Sequence, residues 1–223
     1  MMRFKIKKGL NVPIAGQPEQ RIHEAPTVSR VGLVGTDYRG RKRLPTMLVK
    51  EGDRVKLGQP VARGKDLTDI VATAPGAGVV EQINRGERRY VQSLVIRLEG
   101  AAEETFNAYA PEALVRLNRG QVTENLIASG LWLAFRTRPY SLAADPAEEP
   151  RAIFVTAIDT HPLAADPAVI IKDARDDWLN GLGLVAKLTD GNVQLCTAAG
   201  SEIPTGDLAA VSVAEFAGPH PAG

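Results

Sequence analysis

The hydrophobic period changes once along this chain, and the change divides it. Up to residue 98, apolar positions come in short runs interrupted by glycine, over residues 28–34, 48–61 and 70–83. Runs this short, with Gly or Asp at each interruption, predict small β-strands joined by tight turns. In Val49-Lys50-Glu51-Gly52-Asp53-Arg54-Val55-Lys56-Leu57-Gly58-Gln59-Pro60-Val61, turns at Gly52-Asp53 and Leu57-Gly58-Gln59 bracket a three-residue strand with Val55 pointing inward. Residues 89–98 alternate in part and predict a longer strand that closes an all-β unit.

Beyond Pro111 the period becomes helical. A short helix is expected over 112–117. A longer one is expected over 122–136, capped by Thr123, with Leu126, Ile127, Leu131, Trp132 and Phe135 on its apolar face. Arg136-Thr137-Arg138-Pro139 ends it, and 142–150 reads as loop. Residues 151–158 are continuously apolar, as in a strand covered on both faces. Asp166-Pro167 is a helix start with a cap and a first-position proline, and the helix is expected to run through Trp178 and Leu188 to a stop at Gly191. Strands over 193–197 and 211–216 complete an α/β unit with a mostly parallel sheet. The expected division is therefore residues 1–100, with a β core over 28–98, a linker over 101–111, and an α/β domain over 112–223. That domain is expected to be cut short at its C-terminus, because Gly218-Pro219-His220-Pro221-Ala222-Gly223 follows directly on a strand.

Composition narrows the chemistry. The chain has 223 residues, 44% apolar and 24% charged, with 21 Gly and 15 Pro, which excludes disorder and a simple helical bundle. The net charge of +1 conceals a split: residues 1–100 carry 19 Lys/Arg against 10 Asp/Glu, and the remainder is acidic. A basic half of that kind suits anionic lipid or an acidic partner. The single cysteine, Cys196, excludes a disulfide framework or a thiolate cluster built by this chain alone, and reads as a small buried strand residue or a reactive thiol. His23, His161 and His220 lie far apart with no metal-ligand spacing. No stretch approaches the ~20 apolar residues of a transmembrane helix, and the basic start lacks the apolar core of a signal peptide.

Candidate chemistry is sparse. In an open parallel sheet, ligands bind beyond the carboxyl ends of the strands, so Asp159, Thr160 and His161 are the first ligand candidates; the same residues also suit a turn cap and a change of chain direction. No Gly-x-Gly-x-x-Gly follows a strand, and no Gly-x-Ser-x-Gly elbow is present. The basic run Arg39-Gly40-Arg41-Lys42-Arg43 has no interleaved aromatics, so nucleic acid is not an expected partner and a solvated or partner-facing loop is.

Two resemblances sharpen this. Gly52-Asp53-x-Val55-x-x-Gly58-Gln59-x-Val61 followed by Ala74-Pro75-x-x-Gly78-x-Val80 resembles the barrel-sandwich hybrid of biotinyl and lipoyl carriers. Lys65 is the one lysine near the carrier position, and Arg63-Gly64-Lys65-Asp66 lacks the carrier flanks, leaving a solvated loop charge or a modified carrier lysine as its readings. The whole chain resembles the N-terminal half of the A subunit of the sodium-translocating NADH:quinone oxidoreductases. The match runs through Ile6-Lys7-Lys8-Gly9-Leu10-Asn11-Val12-Pro13-Ile14-Ala15-Gly16-Gln17-Pro18-Glu19-Gln20, Ser129-Gly130-Leu131-Trp132, Arg136-Thr137-Arg138-Pro139, Ala157-Ile158-Asp159-Thr160, Pro162-Leu163-Ala164-Ala165-Asp166-Pro167 and the closing Gly218–Gly223.

That resemblance implies a barrel-sandwich hybrid followed by a Rossmann-like α/β domain. It also implies kinship with the C subunit of the Rnf complex and the NADH-binding flavoprotein subunit of complex I, where a glycine-rich loop holds FMN and NADH and cysteines hold an iron–sulfur cluster. Here Leu126-Ile127-Ala128-Ser129-Gly130-Leu131-Trp132 stands in place of the glycine run. The expectation is a peripheral subunit on the cytoplasmic side of the bacterial inner membrane, partnered by integral membrane subunits. Its complex would couple NADH oxidation and ubiquinone reduction to Na+ export. No cofactor is expected in this chain, and NADH, flavins and Fe–S clusters are expected in other subunits. Ubiquinone contact is placed at Trp132, Phe135 and Arg138 or at Asp159, Thr160 and His161. The alternatives are a free-standing flavin- or nucleotide-binding oxidoreductase domain and a carrier module.

Overall fold

A computed structural model describes residues 2–35 and 46–223. The basic run Arg39–Arg43 lies outside the described residues. The chain opens with β1 (Met2–Lys5) and continues through β2 (Arg30–Val34), β3 (Thr46–Met47), β4 (Arg54–Val55), β5 (Pro60–Arg63), β6 (Val71–Thr73), β7 (Gly78–Arg85) and β8 (Val91–Leu98). Helices α1 (Pro111–Leu114) and α2 (Arg119–Ala128) follow, then β9 (Arg136–Thr137), β10 (Leu142–Ala143) and β11 (Ala152–Ala157). Helices α3 (Pro167–Asp173) and α4 (Arg175–Val185) and strands β12 (Asn192–Ala198) and β13 (Val211–Ala217) complete it. By contacts the chain forms two units, one of residues 26–109 and 120–148, the other of residues 1–25, 110–119 and 149–223.

The first unit is the barrel-sandwich hybrid. One antiparallel sheet has the order β2-β8-β7-β4 and a second the order β3-β5-β6. The register places Val31 and Val80 on either side of Ile96, and Leu33 and Ile83 on either side of Leu94, on one inward face. Val55, Val61, Ala74, Val80, Leu94 and Ile96 form the core. Gly52 and Gly58 adopt φ of +90° and +81°, the left-handed turns that such short strands require. The Asp53 and Gln59 side chains accept from the Lys50 and Lys56 backbone N–H groups across those turns. The acidic stretch after β8, expected as a linker, is tied to this unit: Leu57 N–H donates to Ala102 O, Glu104 N–H to Leu57 O, and Lys56 pairs with Glu104 at 3.1 Å.

The second unit is a four-stranded sheet of order β1-β13-β12-β11, in which every pairing is parallel. β12 is central and buried along five successive residues, as a strand inside a parallel sheet should be. Ala157, Ile171, Leu182, Leu195 and Ile203 form its core, with Trp178 packed against it and donating Nε1–H to Pro204 O at 2.8 Å. The Asp166 carboxylate caps α3 through the Ala168 N–H, with Pro167 at the first helical position.

Several expectations change. The strand over 151–158 is an edge strand with alternating exposure, not one covered on both faces, and Phe154 is 53% exposed. Its apolar run carries no periodicity that could reveal which positions lose their neighbours. The helix expected over 122–136 begins earlier, at Arg119, so Thr123 lies inside it, and it stops at Ala128. Gly130 then turns left-handed into a 3-10 turn over Leu131–Ala134. Within the expected loop, β10 pairs with β9. The single helix expected from Pro167 to Leu188 breaks at Ala174, whose φ, ψ of −126°, 37° is not helical. The N-terminal segment, grouped by sequence with the barrel, supplies β1 to the parallel sheet. Arg3, Lys5, Lys7 and Lys8 therefore lie with the α/β unit, and the charge halves of the sequence do not coincide with the two units.

Candidate functional site

The six residues singled out from sequence fall into two groups, one in each unit. Asp159, Thr160 and His161 lie just past the carboxyl end of β11. Asp159 Oδ1 accepts the His161 backbone N–H at 2.9 Å and lies 2.7 Å from His161 Nδ1, so one carboxylate oxygen fixes both the turn and the ring. These two hydrogen bonds, the backbone one first, hold the Asp159 carboxyl below its ordinary pKa, with the nearby His161 and His220 rings adding to the effect and partial burial opposing it. The capping role and the ligand-candidate role thus fall on the same side chains.

His220 joins this corner. Thr160 Oγ1 accepts the Ala222 N–H at 3.1 Å and lies 2.9 Å from His220 Nδ1. The His161 and His220 rings are 4.5 Å apart between centroids, so histidines remote in sequence are adjacent in space. The N-terminal segment holds the other side: His220 N–H donates to Asn11 Oδ1 and Leu10 N–H to His220 O. Gln20 Oε1 accepts the Asp166 N–H at 2.7 Å. A Cβ on Gly9 would lie 2.2 Å from His220 O, so only glycine lets the two backbones approach this closely. Sequence reasoning passed over His220, Asn11 and Gln20 as site residues. The available signal was that all three lie in the segments carrying the family resemblance.

The second group follows α2. Gly130 has φ +78°, and Thr73 Oγ1 donates to Ser129 O at 3.2 Å, anchoring the turn on β6. Trp132 is buried, 5.2 Å from the Phe135 ring, and its Nε1–H donates to Ala144 O at 2.9 Å. Phe135 is half-buried. Arg138 and Tyr140 are exposed in the β9–β10 turn, and Leu131, at the start of the 3-10 turn, also exposes most of its surface. Trp132 therefore packs the corner, and the accessible apolar surface here comes from its neighbours. Residues 129–132 follow the carboxyl end of α2, where the Ile127 carbonyl accepts the Gly130 N–H and the Leu126 carbonyl the Ser129 hydroxyl. A phosphate is favoured at the opposite helix pole.

The remaining candidates are simpler. Lys65 is exposed in the β5–β6 loop. Cys196 is buried in β12, as expected of a small strand residue. Among the described residues, no group of three or more His, Cys, Asp and Glu side chains could hold a metal ion, and no helix is long and apolar enough to cross a membrane.

Comparison with known proteins covers most of the chain, though it divides it differently from the two units. Residues 4–99 match the family model described as the NqrA N-terminal barrel-sandwich hybrid domain, and residues 117–223 the NqrA second alpha/beta domain. Among curated proteins, the A subunit of the Na(+)-translocating NADH-quinone reductase of Neisseria meningitidis serogroup B is 50% identical over 220 residues, 99% of this chain and 49% of the relative. The proteins of the same name from Cellvibrio japonicus and Hahella chejuensis are 50% and 52% identical, again across 99% of this chain and 49% of theirs. The chain thus spans about half the length of these relatives. With both domain models in consecutive order and half of all positions identical across them, the chain belongs to the family formed by the A subunits of Na(+)-translocating NADH-quinone reductases.

Proposed function

We propose that the chain works within a peripheral subunit, on the cytoplasmic side of a bacterial inner membrane, of a complex that couples NADH oxidation and ubiquinone reduction to Na+ export. Its role there is docking onto integral membrane subunits, with a contact to quinone and no flavin or Fe–S cluster of its own. The observation that carries this reading is the identity of about one half to proteins named for that complex, spread over both domains. Leu131 and Tyr140, exposed in the same stretch of chain as Phe135 and Arg138, offer quinone apolar side chains, with a cation in that stretch. The Asp159–Thr160–His161 corner supplies polar groups of the kind that bind a quinone carbonyl.

Two measurements test the proposal. Affinity purification of the full-length parent protein from its native membranes should recover integral membrane subunits with it; recovery of the tagged protein alone refutes docking. Photolabelling of that preparation with a photoreactive ubiquinone analogue should mark peptides spanning 131–140 or 159–161. Label confined to other segments, or no label that excess ubiquinone competes away, refutes the quinone contact. A flavin absorbance band at stoichiometric occupancy in the purified chain would favour the free-standing oxidoreductase reading instead.

A further inference from the structure

The His161–His220 pair has an organisation that quinone contact does not require. Both imidazoles use Nδ1 internally: His161 toward Asp159 Oδ1 at 2.7 Å, and His220 toward Thr160 Oγ1 at 2.9 Å. A carboxylate beside Nδ1 keeps the proton on that nitrogen in the neutral ring, leaving the lone pair on Nε2. The Thr160 hydroxyl can accept from His220 Nδ1 while also accepting the Ala222 N–H, which sets His220 in the same tautomer. No hydrogen bond occupies either Nε2 among the described residues. Outer-shell bonds of this kind, a carboxylate or hydroxyl behind each ring, orient imidazoles that bind metals.

The spacing agrees. Two imidazoles at ~2.1 Å from one ion put their ring centres about 4.6 Å apart when their bonds to it meet at a right angle, and about 5.3 Å apart at the tetrahedral angle. The observed separation is 4.5 Å, with the rings tilted by 51°. His161 is 72% exposed, so solvent ions reach it. Both rings are also held from the backbone, His161 by its Asx turn and His220 by Asn11 and Leu10, so little rotamer freedom is lost on binding.

The geometry points to His161 and His220 as a paired-imidazole site for one divalent ion of the zinc, nickel or copper class, with each ring donating Nε2 and water filling the other positions. Imidazole ligands select that group over magnesium or calcium. Asp159 is already engaged by the His161 ring and acts as an orienting partner, consistent with the lack of a third protein ligand among the described residues.

The test uses the tag-free, chelator-treated 223-residue chain titrated with Ni2+ by calorimetry, with Cu2+ electron paramagnetic resonance to count coordinated nitrogens. One ion per chain and two nitrogens are expected. His161→Ala should weaken Ni2+ binding by about tenfold or more, and Asp159→Asn by a smaller factor, as loss of an orienting partner does. His161 is mostly exposed, so its removal leaves the fold intact even where His220→Ala, which also deletes the Thr160 contact, does not. His23, near Glu19 at 3.4 Å, is the internal control, and His23→Ala should leave binding unchanged. The proposal is overturned if Ni2+ does not saturate near one equivalent, if binding survives His161→Ala, or if it is lost with His23→Ala.

Discussion

Gly130→Ala probes how the corner that carries Trp132 is built. At φ +78° an alanine Cβ meets its own backbone, a strain of about 1–2 kcal/mol. That Cβ would also lie 2.8 Å from Thr73 Oγ1 and 3.1 Å from its Cγ2, so Thr73 must rotate and surrender its hydrogen bond to Ser129 O. A partly buried neutral hydrogen bond contributes about 1 kcal/mol. The sum is about 2–3 kcal/mol against the barrel-sandwich unit. The chain's two tryptophans, Trp132 and Trp178, fall one in each unit, so fluorescence can report on them separately. In a Trp178→Phe background, urea unfolding followed at Trp132 should show a midpoint lowered by about 1 M, given a slope of about 2 kcal/mol per M. Adding Thr73→Ala should remove the steric part and leave the backbone strain. A midpoint for Gly130→Ala within about 0.2 M of the parent would refute the reasoning, since neither strain nor lost hydrogen bond would then be present.

Other consequences concern the α/β unit. Asp166→Ala removes the cap of α3 and should destabilise the unit by about 1 kcal/mol, read at Trp178 in a Trp132→Phe background. Glu149 accepts the Asp190 N–H and pairs with Arg119 at 2.8 Å, and those contacts, in that order, hold its carboxyl below the usual glutamate range. Because the folded-state pKa is the lower one, the stabilisation is present above the unfolded value and is lost as pH falls through the folded value. The thermal midpoint of Glu149→Gln should therefore lie below the parent's at neutral pH and converge with it in acid; a constant gap would contradict this. Cys196, 4% exposed, should react with a thiol reagent only under denaturing conditions, whereas immediate reaction in the native chain would place it at the surface.

Much of the fold was legible because it is written in local signals. Turn glycines at Gly52 and Gly58 admit few backbone alternatives, and alternation around Val31, Leu33, Leu94 and Ile96 assigns faces without any knowledge of the partner strand. Asp166-Pro167 marks a helix start by itself, since cap and proline act within one turn. Failures cluster where tertiary contact outweighs local preference. Apolar residues at helical spacing run on past Ala128, yet the chain turns at Gly130, whose left-handed backbone ends the helix, and Thr73 holds the Ser129 carbonyl beside it. The run over 151–158 is uniformly apolar, and only the sheet order, with β11 at an edge, exposes Phe154.

The candidate site divides in the same way. Asp159, Thr160 and His161 were accessible to reasoning because a parallel sheet places ligands at its strand ends, whatever the rest of the chain does. His220 was not, because its proximity to His161 depends on how the closing segment is held by Asn11 and Leu10 at the far end of the sequence. By itself, then, the sequence determined two kinds of secondary structure, the turns at Gly52 and Gly58, the Asp166 cap and the family, all properties that neighbouring residues or identity at aligned positions can encode. Tertiary structure alone decided that β1 joins the parallel sheet, that β11 is an edge, and that two distant histidines share a corner. Strand order and non-local pairing arise from burying faces against each other, and no local pattern states which partner will do the burying.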